Sequence, residues 1–112
     1  MILLISAQNP AIDSPRDDRF GRCQWLIKVD TETNEWHAFE NPGVSQSGGA
    51  GVAAAQFVVN QKADVVISGD FGPHAVKAFH AAKIEMWLFT DTVTTVQEAV
   101  DHFASNKLIA FQ

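Results

Sequence analysis

The chain has 112 residues, 46% of them hydrophobic and 19% charged, the balance of a globular domain and not of a disordered tail. That length fits one domain, residues 1–112, with enough chain to build a core without staples. A net charge of −5 without a basic stripe excludes a general nucleic-acid binder. The single cysteine, Cys23, cannot close an internal disulfide, so a reducing cytoplasm is the expected compartment.

The first element is the apolar run Ile2–Ser6. It shows no alternation, which predicts a central strand covered on both faces. The run is short and Asn9 and Pro10 end it, so it reads as a strand and not as a signal peptide or membrane span. Residues 7–22 form a polar loop too long for an ordinary connection. Cys23–Asp30 and Glu35–Glu40 read as two strands joined by the turn Thr31–Asn34. A second loop, Asn41–Gly49, rich in glycine and serine, is expected to be mobile. It leads into a helix of small residues, Ala50–Gln61. Ala63–Gly69 is a buried strand. Pro73 then opens a helix with Ala75, Val76, Phe79 and Ala82 facing inward. Ile84–Thr90 is a fifth strand, and the last helix starts at a Thr94 or Thr95 cap with Val96, Ala99, Val100 and Phe103 inside.

The order β-β-β-α-β-α-β-α predicts an α/β fold of three α/β/α layers. Its mixed five-stranded sheet would have the order 3-2-1-4-5 with strand 2 antiparallel, a ribonuclease-H-like arrangement. Ligands of open α/β sheets bind at the carboxyl ends of the strands. That edge should gather the loops 7–22, 41–50 and 69–73.

Two of these loops run into helix starts. Ser47, Gly48 and Gly49 precede one helix, and Gly69, Asp70, Phe71 and Gly72 precede the other. Helix N-termini carry free N–H donors and partial positive charge, which favour anions. The same glycines also serve tight turns and close packing. Neither stretch is a phosphate-binding Walker loop. Cys23 has two readings. A lone cysteine at a strand start is a small buried hydrophobe, whereas Arg19 and Arg22 nearby would favour a thiolate able to bind metal. His37, His80 and His102 have no metal-ligand spacing and read as structural, while His74, beside the glycine loop, points to function. The first strand carries no carboxylate, which argues against a two-metal nuclease. Asp13, Asp17, Asp18 and Asp70 read as turn formers, and no G-x-S-x-G elbow is present.

The ordered motifs DSPRDDRFGRC, ENPG…GGAGVAAAQ, ADVVISGDFGPHAVKAF and TVQEAV resemble the dinitrogenase iron–molybdenum cofactor biosynthesis family over nearly the whole chain. The resemblance implies a ribonuclease-H-like fold and a small non-enzymatic protein that holds an anionic metal–sulfur cluster. Nitrogenase cofactor carriers of the family have His before the Phe-Gly pair, where this chain has Arg19. The form DDRFGRC is closer to the orange-protein branch, which holds a molybdenum–copper sulfide cluster without a covalent link. The implied ligand is therefore a molybdenum–copper sulfide cluster, with iron–molybdenum cofactor or a precursor as the alternative. A bulky polysulfide anion calls for diffuse positive potential, N–H donors and polarisable walls. Arg19, Phe20, Arg22, Cys23, Ser47, Gly48, Gly49, Gly69, Asp70, Phe71, Gly72 and His74 are the expected contacts, with Cys23 the one candidate metal ligand. The expected partners are the cluster and proteins that receive it, without nucleic acid or membrane. The other reading is a metal-free regulatory or scaffold protein that binds partner proteins through the same fold.

Overall fold

A computed structural model describes residues 1–111. The strands are β1 (Ile2–Ala7), β2 (Trp25–Asp30), β3 (Trp36–Glu40), β4 (Val65–Ser68), β5 (Glu85–Leu88) and β6 (Ile109–Ala110), and the helices are α1 (Ala50–Asn60), α2 (Pro73–Ala82) and α3 (Val96–Ala104). The sheet order is β3-β2-β1-β4-β5-β6. β2 runs antiparallel to β1 and β3, while β1, β4 and β5 are mutually parallel. The expected five-strand order therefore stands, with one correction. A sixth strand, β6, adds antiparallel to Trp87 and Leu88 at the edge. Two residues are too few for any periodicity to show in sequence.

The apolar run of β1 is buried from Leu3 to Ala7. Successive side chains of a strand point to opposite faces. Leu4 accordingly packs with Leu26, Val66 and Met86 beneath α1 and α2, and Leu3 and Ile5 pack with Ile27, Val65 and Ile67 beneath α3. Two cores thus sit on the two sides of one sheet. Alanines 54 and 55 let α1 approach closely, and Ala75 and Phe79 anchor α2. Ala82, expected to face inward, is exposed, and Ala78 packs in its place.

α3 begins in a full capping box. Thr95 accepts from the Glu98 N–H, and Glu98 accepts from the Thr95 N–H. Bonds from Thr94, its hydroxyl first, hold the Glu98 carboxyl below the usual range. Two further N–H groups of this helix start, Val96 and Gln97, donate to the carbonyls of Ser14 and Ile12. The first half of the long β1–β2 loop is therefore a strap across α3. Arg16 fastens it by donating to Thr90 O (2.6 Å), pairing with Asp18 (3.1 Å) and lying over the Phe89 ring. Among the described residues no helix is long and apolar enough to cross a membrane.

Leu4 is fully buried between β1 and the α1–α2 layer. Leu4→Ala is expected to lower unfolding stability by about 2–5 kcal/mol, and Thr95→Ala, which removes one cap, by about 1 kcal/mol. Urea unfolding followed by circular dichroism measures both.

Candidate functional site

The second half of the β1–β2 loop, residues 17–24, turns away from the strap at a buried polar junction. Ser6 is the penultimate residue of β1 and Ser68 ends β4, and both are fully buried. The Ser6 hydroxyl lies 2.6 Å from Ser68 Oγ and 2.5 Å from the Asp17 carbonyl. A Cβ on Gly69 would stand 2.6 Å from Asp18 Cβ, so only glycine lets this loop rest on the end of β4.

From there the chain is held by Asn41, the last residue before the 3-10 turn Pro42–Ser45. Asn41 is 3% exposed. Its Nδ2 lies 3.2 Å from the carbonyls of Phe20 and Gly21, 2.9 Å from that of Cys23 and 3.4 Å from Cys23 Sγ. Its Oδ1 accepts from Gly43 N–H at 3.0 Å. A Cβ on Gly43 would meet Gly21 O at 2.5 Å and Ala50 O at 2.6 Å, so three backbone segments meet here with no room for a side chain. The loop expected to be mobile from Asn41 is thus anchored at its start by Asn41 and Gly43, and residues 44–49 are the exposed remainder.

These contacts form a cavity of about 320 Å³ lined by Phe20, Gly21, Arg22, Gly49, Ala50, Gly51, Gly72, Pro73, His74 and Ala75. The starts of α1 and α2 both open into it. Neither has a side-chain cap or an acidic residue in its first turn, in contrast to α3. Gly49 adopts a left-handed φ of 72° as the N-cap of α1. Cβ atoms on Gly49, Gly51 or Gly72 would meet nothing within 4 Å, so a ligand can approach this backbone directly. Arg22 reaches over the rim, its Nη1 donating to Gln46 O at 2.9 Å. The floor is aromatic, with Phe20 packed against Phe71 (5.6 Å between centroids) and Phe79 (5.4 Å).

Of the expected contacts, Phe20, Arg22, Gly49, Gly72 and His74 line this cavity. Ser47 and Gly48 are exposed on the approach to α1, and Asp70 is exposed and bonds the neighbouring Phe71 N–H. Gly69 packs on Asp18, and Phe71 is a core residue beneath the lining. Arg19 is paired. Both oxygens of Asp17, itself 6% exposed, bind the Arg19 guanidinium at 3.2 and 3.1 Å. That hydrogen bonding, with the attraction of the same carboxylate, pushes the Arg19 pKa up.

Cys23 needs a correction in place and charge. It precedes β2 by two residues and is fully buried. Its thiol donates to Phe20 O at 3.3 Å. Burial, then the negative charge of Asp17, pushes the pKa up from 9.0 to about 12, and the Asn41 bond only partly opposes this. The flanking arginines do not make a thiolate, because Asp17 takes up Arg19 and Arg22 turns toward Gln46. Sequence reasoning passed over Asn41. The one signal for Asn41 was its place before Pro-Gly at the head of a glycine-rich loop.

Fold and cavity together define an α/β domain with a cleft at the carboxyl edge of its sheet, lined by two helix N-termini and Arg22. The chain belongs to the dinitrogenase iron–molybdenum cofactor family, whose model matches residues 1–106. The apo form of the orange protein from Desulfovibrio gigas superposes with a TM-score of 0.90 at 31% identity, covering 98% of this chain and 92% of that one. A putative NifB protein from Thermotoga superposes with a TM-score of 0.84 at 28% identity, over 97% of this chain and 91% of its own. An uncharacterised protein of Methanocaldococcus jannaschii is 27% identical over 105 residues, 90% of this chain and 87% of that protein.

The Cys23 thiol couples stability to pH. The unfolded chain loses this proton near 9.0, whereas the folded protein keeps it to about 12. The group's contribution is therefore full below pH 9.0 and falls as pH rises toward about 12. The stability of the wild type should fall relative to Cys23→Ala across that window in urea titrations, and native Cys23 should resist iodoacetamide until the protein unfolds. Asn41→Ala leaves buried carbonyls unpaired and is expected to cost about 1–3 kcal/mol and to speed amide exchange across residues 20–23, read by NMR.

Proposed function

We propose that this protein carries or stores an anionic metal–sulfur cluster, without catalysing a reaction, in the cavity between residues 20–22 and the starts of α1 and α2. The observation that carries this reading is the convergence of two uncapped helix starts on one cavity beside Arg22 and His74. Free N–H groups and aligned helix dipoles favour an anion, and Arg22 adds a full charge. A volume of about 320 Å³ lies at the small end of ligand sites, suited to a compact ion and not to a dinucleotide.

The cargo is an inorganic cluster of molybdenum–copper sulfide type. The likeness to the orange protein and the Arg19-Phe20-Gly21-Arg22 run support that choice over the iron–molybdenum cofactor or its precursors. Among the described residues no group of three or more His, Cys, Asp or Glu converges to hold a metal ion, which suits a cluster gripped through its outer sulfides. The protonated, buried Cys23 is a support for the loop and not a ligand. Arg22, the glycine backbone, His74 and the Phe20 wall make the contacts. Partner proteins that receive the cluster, and a reducing cytoplasm in which exposed sulfides persist, belong to the same reading.

Reconstitution with tetrathiomolybdate and copper, followed by visible absorbance, tests it. Arg22→Glu is expected to weaken cluster uptake at least ~10-fold, because it reverses a charge-assisted contact, with circular dichroism unchanged. Arg19→Gln should have a smaller effect, and Cys23→Ala should still take up the cluster. Raising salt should weaken binding only moderately in a partly enclosed site. A colourless Cys23→Ala beside a normal Arg22→Glu would show that a thiolate holds the cluster and would end this reading.

A further inference from the structure

A second concave surface lies on the far side of α2. Two adjoining hollows, of about 460 Å³ and about 650 Å³, run along α2 toward β5 and β6 and share His80 and Phe111. Their floor is apolar: Phe71, Phe79, Ile84 and Met86 reach it from the core beside half-buried Val76 and Phe111.

The rim has the opposite character from the rest of the molecule. The chain as a whole carries −5, yet α2 contains no Asp or Glu. His74, Lys77 and His80 are exposed on it, and exposed Lys83 is its C-cap, in a left-handed conformation. Lys77, His80 and Lys83 line the two hollows, whereas His74 lines the cavity described above. Among the described residues neither lysine has a carboxylate within ion-pairing distance. Among the described residues Glu85 is the one acid lining the groove, and its carboxylate accepts from the Trp87 indole N–H at 2.9 Å. Pro73 lines both the cavity described above and the nearer hollow.

We propose that this groove docks an acidic segment of a partner protein, which seats a bulky aliphatic or aromatic side chain between α2 and β6 beside the mouth of the cavity. The apolar floor suits a large side chain, and Lys77 and Lys83 on its rim suit carboxylates around it. The net charge of −5 repels an acidic partner as a whole while the two rim lysines attract it, so the charge pattern favours one orientation. A second copy meeting groove to groove would set Lys77 and Lys83 against their own equivalents, a like-charge contact. A flat anionic bilayer would face a net charge of −5 and could not fill a concave hollow.

The proposal does not depend on the cluster reading, and its test uses cluster-free protein. The probe is a synthetic peptide of about nine residues, capped at both ends, alternating Glu or Asp with Leu and Phe (a strand- or helix-length anchor), titrated into ¹⁵N-labelled protein. Amide shifts should concentrate in residues 73–86 and 108–111. Lys77→Glu with Lys83→Glu, both on exposed positions, should weaken binding at least ~10-fold, with the spectrum otherwise retained. A peptide with Ser in place of Leu and Phe should bind at least ~10-fold more weakly, the loss of its apolar anchor. The proposal fails if no acidic peptide binds, if a peptide with Lys in place of Glu and Asp binds as well, or if the shifts fall elsewhere. It also fails if the double variant binds unchanged. Sedimentation showing a dimer that the double variant loses would assign the groove to a second copy, and binding to phosphatidylserine vesicles without peptide binding would assign it to a lipid surface.

Discussion

The direction of β2 decides where everything else goes. Because β2 pairs antiparallel with both β1 and β3, β3 runs the same way as β1, β4 and β5. The loops that leave β1, β3 and β4 therefore emerge on one edge of the sheet. A parallel β2 would have needed a crossover helix and sent the loop after β3 through a different path. The hairpin instead delivers Asn41 to within hydrogen-bonding distance of residues 20–23. The cleft is thus a product of chain direction, fastened by one carboxamide.

How much of this was legible from sequence follows from how local each cause is. The central position of β1 could be read because a strand covered on both faces must be apolar at every position, and Leu3, Leu4 and Ile5 are. The hairpin, the Pro73 helix start and the Thr95 cap each depend on a few adjacent residues and were equally visible. β6 was not, since its pairing with Trp87 and Leu88 is a tertiary event written in two residues. The loops expected to converge do converge, yet only Phe20, Arg22, Gly49, Gly72 and His74 among the expected contacts line the cavity.

The surroundings of Arg19 and Cys23 share one cause. Sequence proximity places Arg19, Arg22 and Cys23 together and suggests a positive patch around a thiolate. In three dimensions the nearest charge that counts is Asp17, folded under the loop by the serine junction of β1 and β4. It occupies Arg19 and adds to burial, the larger cause, in holding the Cys23 thiol in its neutral form. Asn41 went unseen for a related reason: the partners of its Nδ2 lie 18 to 21 positions away along the chain. Net local charge cannot be counted along a sequence when one member of the set is buried and bound.

The strap of residues 12–16 gives the two faces of the sheet a mechanical connection. It supplies acceptors for the N–H groups that open α3 and continues without a break into the rim that carries Arg22. Fraying of α3 from its first turn would release those acceptors and slacken the rim on the opposite face. By linkage, whatever holds the rim in one arrangement also holds the first turn of α3 closed. A ligand in the cleft would therefore protect amides on the far side of the sheet that it never touches, and a lesion at Thr95 would loosen its grip from behind.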